Sequence, residues 1–232
     1  MINLIGSLSN LLKVPYNVQV WDSPDWWLKE HCFSKFYQKR VINQFRQLLK
    51  SSNYCIAASP YMAEAYQNEI GCKTTYLMPF LEKLRSINID EIEGKKENDR
   101  CFKIVFAGQK YAKKELMTFL EALDTINWCY KEKKINLFIY SNYVDEEILN
   151  KYPLVRQVGW IDQKQLFIEI EESDLAYCPY PFSEEMINVS SLSFPAKLTT
   201  YIRCLTPVFI HSPEYSSIFK FVQQYKMGYV CS

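Results

Sequence analysis

The sequence predicts an α/β protein built on a doubly wound parallel sheet, and three observations predict it. Short apolar runs alternate with amphipathic stretches between Lys103 and Ile210, the pattern of strands joined by crossover helices. Gly108, Ser141, Gly159, Tyr180 and Ser193 fall where those units turn, on the carboxyl edge where such sheets gather ligands. The stretch SFPAKLTTYIRCLTP (Ser193–Pro207) lies between LAYCPYPF and VFI. Its order is strand, loop, helix, strand.

The elements follow in chain order. MINLIGSLSNLLK is weakly amphipathic, has no basic start and no cleavage site, so it reads as a helix and not as a signal peptide. Asn17–Val20 reads as a strand ending at Trp21-Asp22-Ser23-Pro24. Phe36, Val41, Phe45 and Leu48 recur at helical spacing and predict a helix over 33–50. Tyr54–Ala58 is the next strand, and Ser59-Pro60 pairs a capping residue with a first-turn proline. Thr74–Leu77 closes this segment. The charged run EGKKENDR within 82–100 has the composition of a linker or of a surface loop.

Beyond it the pattern is βαβαβαβ. The expected elements are strand Lys103–Ala107, helix Lys114–Lys131, strand Asn136–Tyr140 and a short helix over 145–150. Strand Val155–Trp160, helix Gln163–Glu171 and strand Leu175–Pro179 follow. Helix Pro195–Cys204 and strand Val208–Ile210 complete the run. The expected domains are 1–81, incomplete and Rossmann-like, and 101–232, with 82–100 as the linker.

Composition narrows the functional classes. The 232 residues suffice for one large or two small domains. A net charge of +1 gives no field that would attract nucleic acid. Eight cysteines lack ligand-like spacing and only two histidines, His31 and His211, occur, so a zinc site is not expected. Cys55, Cys129 and Cys178 lie in apolar runs, as small buried hydrophobes do. A reducing, cytoplasmic location is expected, and no apolar run approaches a membrane span.

The candidate site residues line the carboxyl edge. Gly108 ends a strand, where a missing side chain admits a phosphate or simply permits a turn. Lys113 and Lys114 open a helix against its dipole. Ser193 is expected to cap the helix begun by Pro195, with Lys197 one turn in; an anion site and an ordinary αβ unit both fit that start. Gly159, Trp160 and Ile161 follow a strand and offer backbone to a planar base, or form a tight turn.

Read together, these motifs resemble the donor-binding, C-terminal domain of a GT-B glycosyltransferase of the family 4 type (glycosyltransferase group 1). Gly108 and Lys114 match its "G-x5-K" pair. VGWIDQKQLFIEIEESDLAYCPY matches its signature through Gly159, Asp174 and Pro179. SFPAKLTTYIRCLTPVF matches the "P-x-K-l-x-x-Y-l-x-x-x-x-P-v" variant, and Gly228 fits the glycine of the final "G-x-v" strand. SNYCIAASPYMAEAY resembles a strand–helix of the N-terminal domain more loosely.

The resemblance implies a GT-B-like fold and a chemistry that retains anomeric configuration without a metal or other cofactor, a nucleotide-diphosphate sugar being the donor substrate. Gly108, Lys114, Ser193 and Lys197 would bind the diphosphate; Gly159, Trp160, Ile161 and Thr200 would meet the base and ribose. Asp22 and Trp26, with Asp25 and Trp27, would face the acceptor side, or form a hydrophobic turn. The acceptor would be a glycan or a lipid-linked sugar, with peripheral association at the inner face of the membrane. The resemblance assigns no catalytic base. It departs at Leu192 and Thr200, where most of the family carries a glutamate pair, at Leu205, where it has glycine, and at Gln109, often an arginine. Those losses, with fewer βα units before NVQVWDSPDWW, leave a non-catalytic nucleotide-sugar-binding module or half of a split enzyme as the alternative.

Overall fold

The computed structural model describes residues 2–78, 101–109, 111–141 and 146–232. The chain falls into two compact units. One is built from Met1–Pro79, Phe182–Phe194 and Glu214–Phe221, the other from Phe80–Pro181, Pro195–Pro213 and Val222–Ser232. The sequence reading assigned both 182–194 and 214–221 to the second domain; their packing groups them with the first unit instead. The expected linker, 82–100, lies outside the described residues.

The first unit contains α1 (Ile2–Leu12), β1 (Asn17–Val20), α2 (Pro24–Glu30), α3 (Lys35–Ser51), β2 (Tyr54–Ala57), α4 (Pro60–Ile70) and β3 (Thr74–Tyr76). Its parallel sheet has the order β1-β2-β3. α2 was not expected; Pro24 at its first turn and Asp25 beside its amino end favour it. Ser59 caps α4 as anticipated, its Oγ accepting from Met62 N at 2.9 Å. The same hydroxyl donates to the Leu192 carbonyl at 2.5 Å. The core collects Val20, Leu49, Cys55, Ala57, Met62 and Tyr66, with Leu192 packed against it.

The second unit contains β4 (Cys101–Ala107), α5 (Lys113–Thr125), β5 (Cys129–Tyr130), β6 (Lys133–Tyr140), α6 (Glu146–Lys151), β7 (Val155–Gln157), α7 (Gln163–Glu171) and β8 (Leu175–Pro179). After the segment Glu184–Leu192, a 3-10 turn followed by α8 (Ile187–Leu192), come α9 (Ala196–Arg203), β9 (Val208–His211), α10 (Ser217–Tyr225) and β10 (Tyr229–Cys231). The boundary between the units falls within α10. The sheet runs β10-β9-β8-β4-β6-β5, with β7 also on β6. Every described pairing is parallel except β5 with β6, so the doubly wound expectation holds.

The expected helix Lys114–Lys131 ends at Thr125 and gives way to an antiparallel hairpin. Asn127, Trp128, Lys131 and Glu132 all take positive φ there, a conformation rarely adopted by non-glycine residues. Burial of Trp128, whose Nε1 donates to Asp124 at 3.0 Å, accompanies that turn. Cys129 is consequently exposed, unlike the buried Cys55 and Cys178. Tyr177 lies at the centre of the core, stacked on Phe119 with ring centroids 4.1 Å apart. No described helix is long and apolar enough to cross a membrane.

Two side-chain contacts lock β4 in register. Asp174 accepts from Lys103 N at 2.6 Å while its own N–H donates to Lys103 O at 2.9 Å. Glu169 pairs with the Lys103 ammonium at 2.8 Å and accepts from the Tyr140 hydroxyl at 2.8 Å. The Lys103 hydrogen bond, ahead of Tyr140, holds the Glu169 carboxyl below its ordinary value. A depressed folded-state pKa adds stability above the ordinary value of 4.5 and loses it as pH falls through the folded pKa. Urea unfolding at pH 7 is therefore expected to show Glu169→Gln less stable than the parent. That gap should narrow toward pH 3; a gap of equal size at both pH values refutes the linkage.

Candidate functional site

In the second unit, Gly108, Ser141 and Tyr180 immediately follow β4, β6 and β8, and Gly159 comes two residues after β7. Those strands are mutually parallel along the sheet, so these residues share the carboxyl edge as expected. Gly108 adopts φ +109, which L side chains rarely take, and its N–H donates to Tyr140 O at 3.1 Å. A Cβ there would meet Lys197 Cε at 3.9 Å, an ordinary contact. The backbone conformation, not lack of space, calls for glycine at this corner.

Lys197 is the second residue of α9. Its stem keeps the residue half-buried, yet Nζ is buried and has no hydrogen-bond partner among the described residues. The ammonium lies 4.8 Å from the Phe106 ring centroid and 4.7 Å from that of Tyr111. Burial pushes its pKa below the ordinary lysine value. Burial likewise pushes the nearby Cys178 thiol up to about 11, so it stays neutral and supplies no counter-charge at neutral pH. Aromatic faces offset only part of the desolvation of a cation.

Other expected residues of the second unit are less concentrated. Lys114 is exposed in the first turn of α5. Gly159 has φ +87, Trp160 is 78% exposed and Ile161 is half-buried. Thr200 is half-buried in α9, where its carbonyl accepts from Cys204 N. Of these positions, Gly108 and Lys197 lie near each other, a Cβ built on the glycine coming to 3.9 Å of Lys197 Cε.

Ser193, Asp22 and Trp26 belong to the first unit. The expected cap at Ser193 does not form. α9 begins at Ala196 with Pro195 as its N-cap and no side-chain cap bond. Ser193 instead follows α8, and its hydroxyl donates to Asp22 Oδ1 at 2.6 Å. Ser193 lies two residues before the Pro195 N-cap, outside the register from which a side chain caps the first turn. The Ser193 carbonyl accepts from the Ser217 hydroxyl. Asp25 is engaged by Asn188 Nδ2 at 2.6 Å, and Trp26 is half-buried. Leu192, where the resemblance leads one to expect a carboxylate, packs on the first unit's core.

Three residues of the Lys197 corner escaped the sequence reading: Phe106, Tyr111 and Tyr201. The Tyr201 hydroxyl accepts from Ala107 N at 2.9 Å, directly before Gly108. The tyrosine four residues after Lys197, one helical turn on, was the available signal for that contact. Tyr177 meets His211 Nδ1 at 3.1 Å and donates to Glu115 O at 3.0 Å. Burial lowers the His211 pKa, and the neighbouring Glu115 opposes that shift. No group of three or more His, Cys, Asp or Glu is placed to hold a metal ion among the described residues.

The fold is that of the GT-B glycosyltransferases, with Rossmann-like parallel sheets. Similar solved structures include the sucrose-phosphate synthase of Thermosynechococcus elongatus, with TM-score 0.61 and 16% identity, covering 92% of this chain and 54% of that one. The α,α-trehalose-phosphate synthase (UDP-forming) of Burkholderia vietnamiensis gives TM-score 0.59 and 8% identity, with 86% and 53% coverage. An E. coli trehalose-6-phosphate protein bound with UDP-2-fluoro glucose gives TM-score 0.58 and 9% identity, with 100% and 65% coverage. This chain thus spans between about half and two-thirds of their lengths. At these identities the likeness is one of fold. No family model matches the sequence, and no curated protein matches it.

Proposed function

We propose that the chain is the nucleotide-sugar-binding part of a glycosyltransferase of the family 4 type, which passes a sugar to a glycan or lipid-linked acceptor. The observation that carries this reading is the buried, unpartnered ammonium of Lys197 beside the open backbone of Gly108. A diphosphate would supply the missing counter-charge, and the amides of Ala196 and Lys197, which open α9 ahead of the Leu198 amide bonded to Pro195 O, would add donors. In glycosyl transfer, negative charge grows on the leaving diphosphate. A fixed lysine and fixed amides therefore act on the transition state without reorganising. In this reading they serve in place of a metal. Lys114 is placed on the outer diphosphate oxygens, and Gly159–Ile161 and Thr200 on the base and ribose. UDP-2-fluoro glucose bound to one neighbour of the same fold makes a UDP-sugar the first donor to try.

A second reading has an observation of its own. Leu192 serves the core of the first unit and Thr200 offers only a hydroxyl, so neither position supplies a carboxylate to the donor. A module that binds a nucleotide sugar without turning it over, or half of a split enzyme, fits that substitution. Calorimetric titration with UDP- and GDP-sugars tests binding, and release of free nucleotide tests turnover. Lys197→Ala is expected to weaken binding by tenfold or more, the worth of a charge-assisted contact, and Lys114→Ala by less. Tight binding indifferent to both lysines would falsify the donor-site assignment.

A further inference from the structure

The amino end of α5 carries Lys114, yet little near it in sequence holds that end in place. Its N-cap is Ala112, which makes no side-chain cap bond, and lysines at its first two positions oppose the helix dipole. The restraint comes from the sheet. On β8, the Tyr177 hydroxyl donates to Glu115 O in the first turn of α5 at 3.0 Å. Tyr177 is fully buried, and its ring stacks on Phe119 of the same helix.

Beside Tyr177 stands His211, the last residue of β9, with Nδ1 3.1 Å from the tyrosine hydroxyl. A tyrosine hydroxyl has one hydrogen and a carbonyl can only accept, so that hydrogen belongs to Glu115 O. The hydroxyl oxygen must then accept from His211, which puts the imidazole proton on Nδ1. Burial lowers the His211 pKa, so the ring is neutral at pH 7 and holds a single proton. Its backbone is fixed as well. His211 pairs with Pro179 of β8 on one side and Cys231 of β10 on the other, and its carbonyl accepts from Tyr180 N at 2.8 Å. A held imidazole thus orients a hydroxyl that holds a helix.

We infer that His211 is a positioning residue of the donor site, fixing through Tyr177 the amino end of α5 and with it Lys114. The inference rests on the donor-site reading and adds to it a route from β9 to the lysine. A side chain that only filled space would account for the burial of the ring. It would not account for an Nδ1 set against a hydroxyl whose one hydrogen is already committed to α5.

Nuclear magnetic resonance of the ring nitrogens tests the geometry, and nucleotide-sugar titration tests the role. Only His31 and His211 occur, so two sets of ring signals arise and His211→Asn assigns them. At pH 7 the His211 proton is expected on Nδ1; a ring protonated on Nε2 instead overturns the inference. His211→Ala should weaken donor binding roughly two- to tenfold, the worth of one hydrogen bond, and by no more than Lys114→Ala does. His211→Asn, whose amide offers an N–H near the Nδ1 position, should recover parental affinity. In a Lys114→Ala background His211→Ala should cost nothing further, because the lysine it positions is gone. An equal loss in both backgrounds marks a general weakening of the fold and overturns the inference. Parental affinity in His211→Ala does the same, as does an asparagine variant no better than the alanine one. The two readings fail separately. Lost donor binding in Lys197→Ala with none lost in His211→Ala leaves the donor site standing and removes the positioning role. A parent that binds no nucleotide sugar refutes the donor site, and hydrogen exchange then reads the restraint alone. The Leu116 amide, bonded to Ala112 O at 3.1 Å, should exchange faster in His211→Ala than in the parent; equal rates overturn the inference.

Discussion

Replacing Lys197 with methionine is expected to make the protein more heat-stable while removing the nucleotide-sugar affinity proposed for it. The side chain keeps its length, so the packing of its stem against Gly108 survives. What disappears is a buried amine without a hydrogen-bond partner. Polar groups buried in that way cost about 1–3 kcal/mol by mutational measures, which for a chain of this size corresponds to a rise in Tm of roughly 2–10 °C. The pH dependence fixes the cause. Burial lowers the folded-state pKa below the ordinary 10.5. Between those two values the unfolded state binds more protons than the folded state, and stability rises with pH. The advantage of Lys197→Met should therefore be full below the folded pKa and shrink as pH rises toward 10.5. Differential scanning calorimetry across that range, with donor titration at neutral pH, makes the measurement. A Tm that does not rise, together with unchanged donor affinity, sinks the argument that this lysine waits for an anion. Stability given up at one residue in exchange for binding is a common signature of functional sites.

The elements most legible in the sequence were those governed by local pattern. Helix Gln163–Glu171 and strand Leu175–Pro179 lie where alternation placed them, and Ser59-Pro60 opens α4 as its chemistry requires. Asp162 adds a cap at the start of α7, accepting from Lys164 N and Gln165 N. The failures share a different physics. Ser193 has the right side chain for capping, but the partner that claims it, Asp22, is 171 residues away. The helix beyond Thr125 ends without any glycine or proline to announce it, at a turn where non-glycine residues take positive φ and Trp128 is buried. The recruitment of 182–194 and 214–221 to the first unit depends on contacts such as Ser59 with Leu192, which no local window contains. At the candidate site the glycine and lysine positions were readable as types. That they lie near each other, and that the Phe106 and Tyr111 rings flank the ammonium, followed only from the folded chain.

Tyr201 supplies the second large effect, because one hydroxyl finishes the strand that ends at Gly108. β4 pairs with β8 only through Ile104 and Val105, so on that side the ladder stops short of Ala107. The fully buried Tyr201 hydroxyl accepts from Ala107 N at 2.9 Å, and its own hydrogen faces the carbonyls of Tyr177 at 3.3 Å and Ala107 at 3.4 Å. Tyr201→Phe preserves the ring and strands the Ala107 amide in a site closed to water. Leaving a buried donor unsatisfied costs about 1–3 kcal/mol. Tyr201→Ala adds a cavity and should cost roughly 3–5 kcal/mol, the range for buried aromatic truncations. The functional consequence follows from position, since Ala107 directly precedes Gly108 and Tyr201 lies one helical turn after Lys197 on α9. Freed of that bond, the strand end and the lysine are no longer tied through one side chain. The proposed donor affinity should drop in Tyr201→Phe, an effect transmitted through Ala107 and Gly108. Urea unfolding and donor titration on the same preparations read both effects. A phenylalanine variant with parental stability and parental affinity would show that the hydroxyl neither satisfies the strand end nor positions the corner.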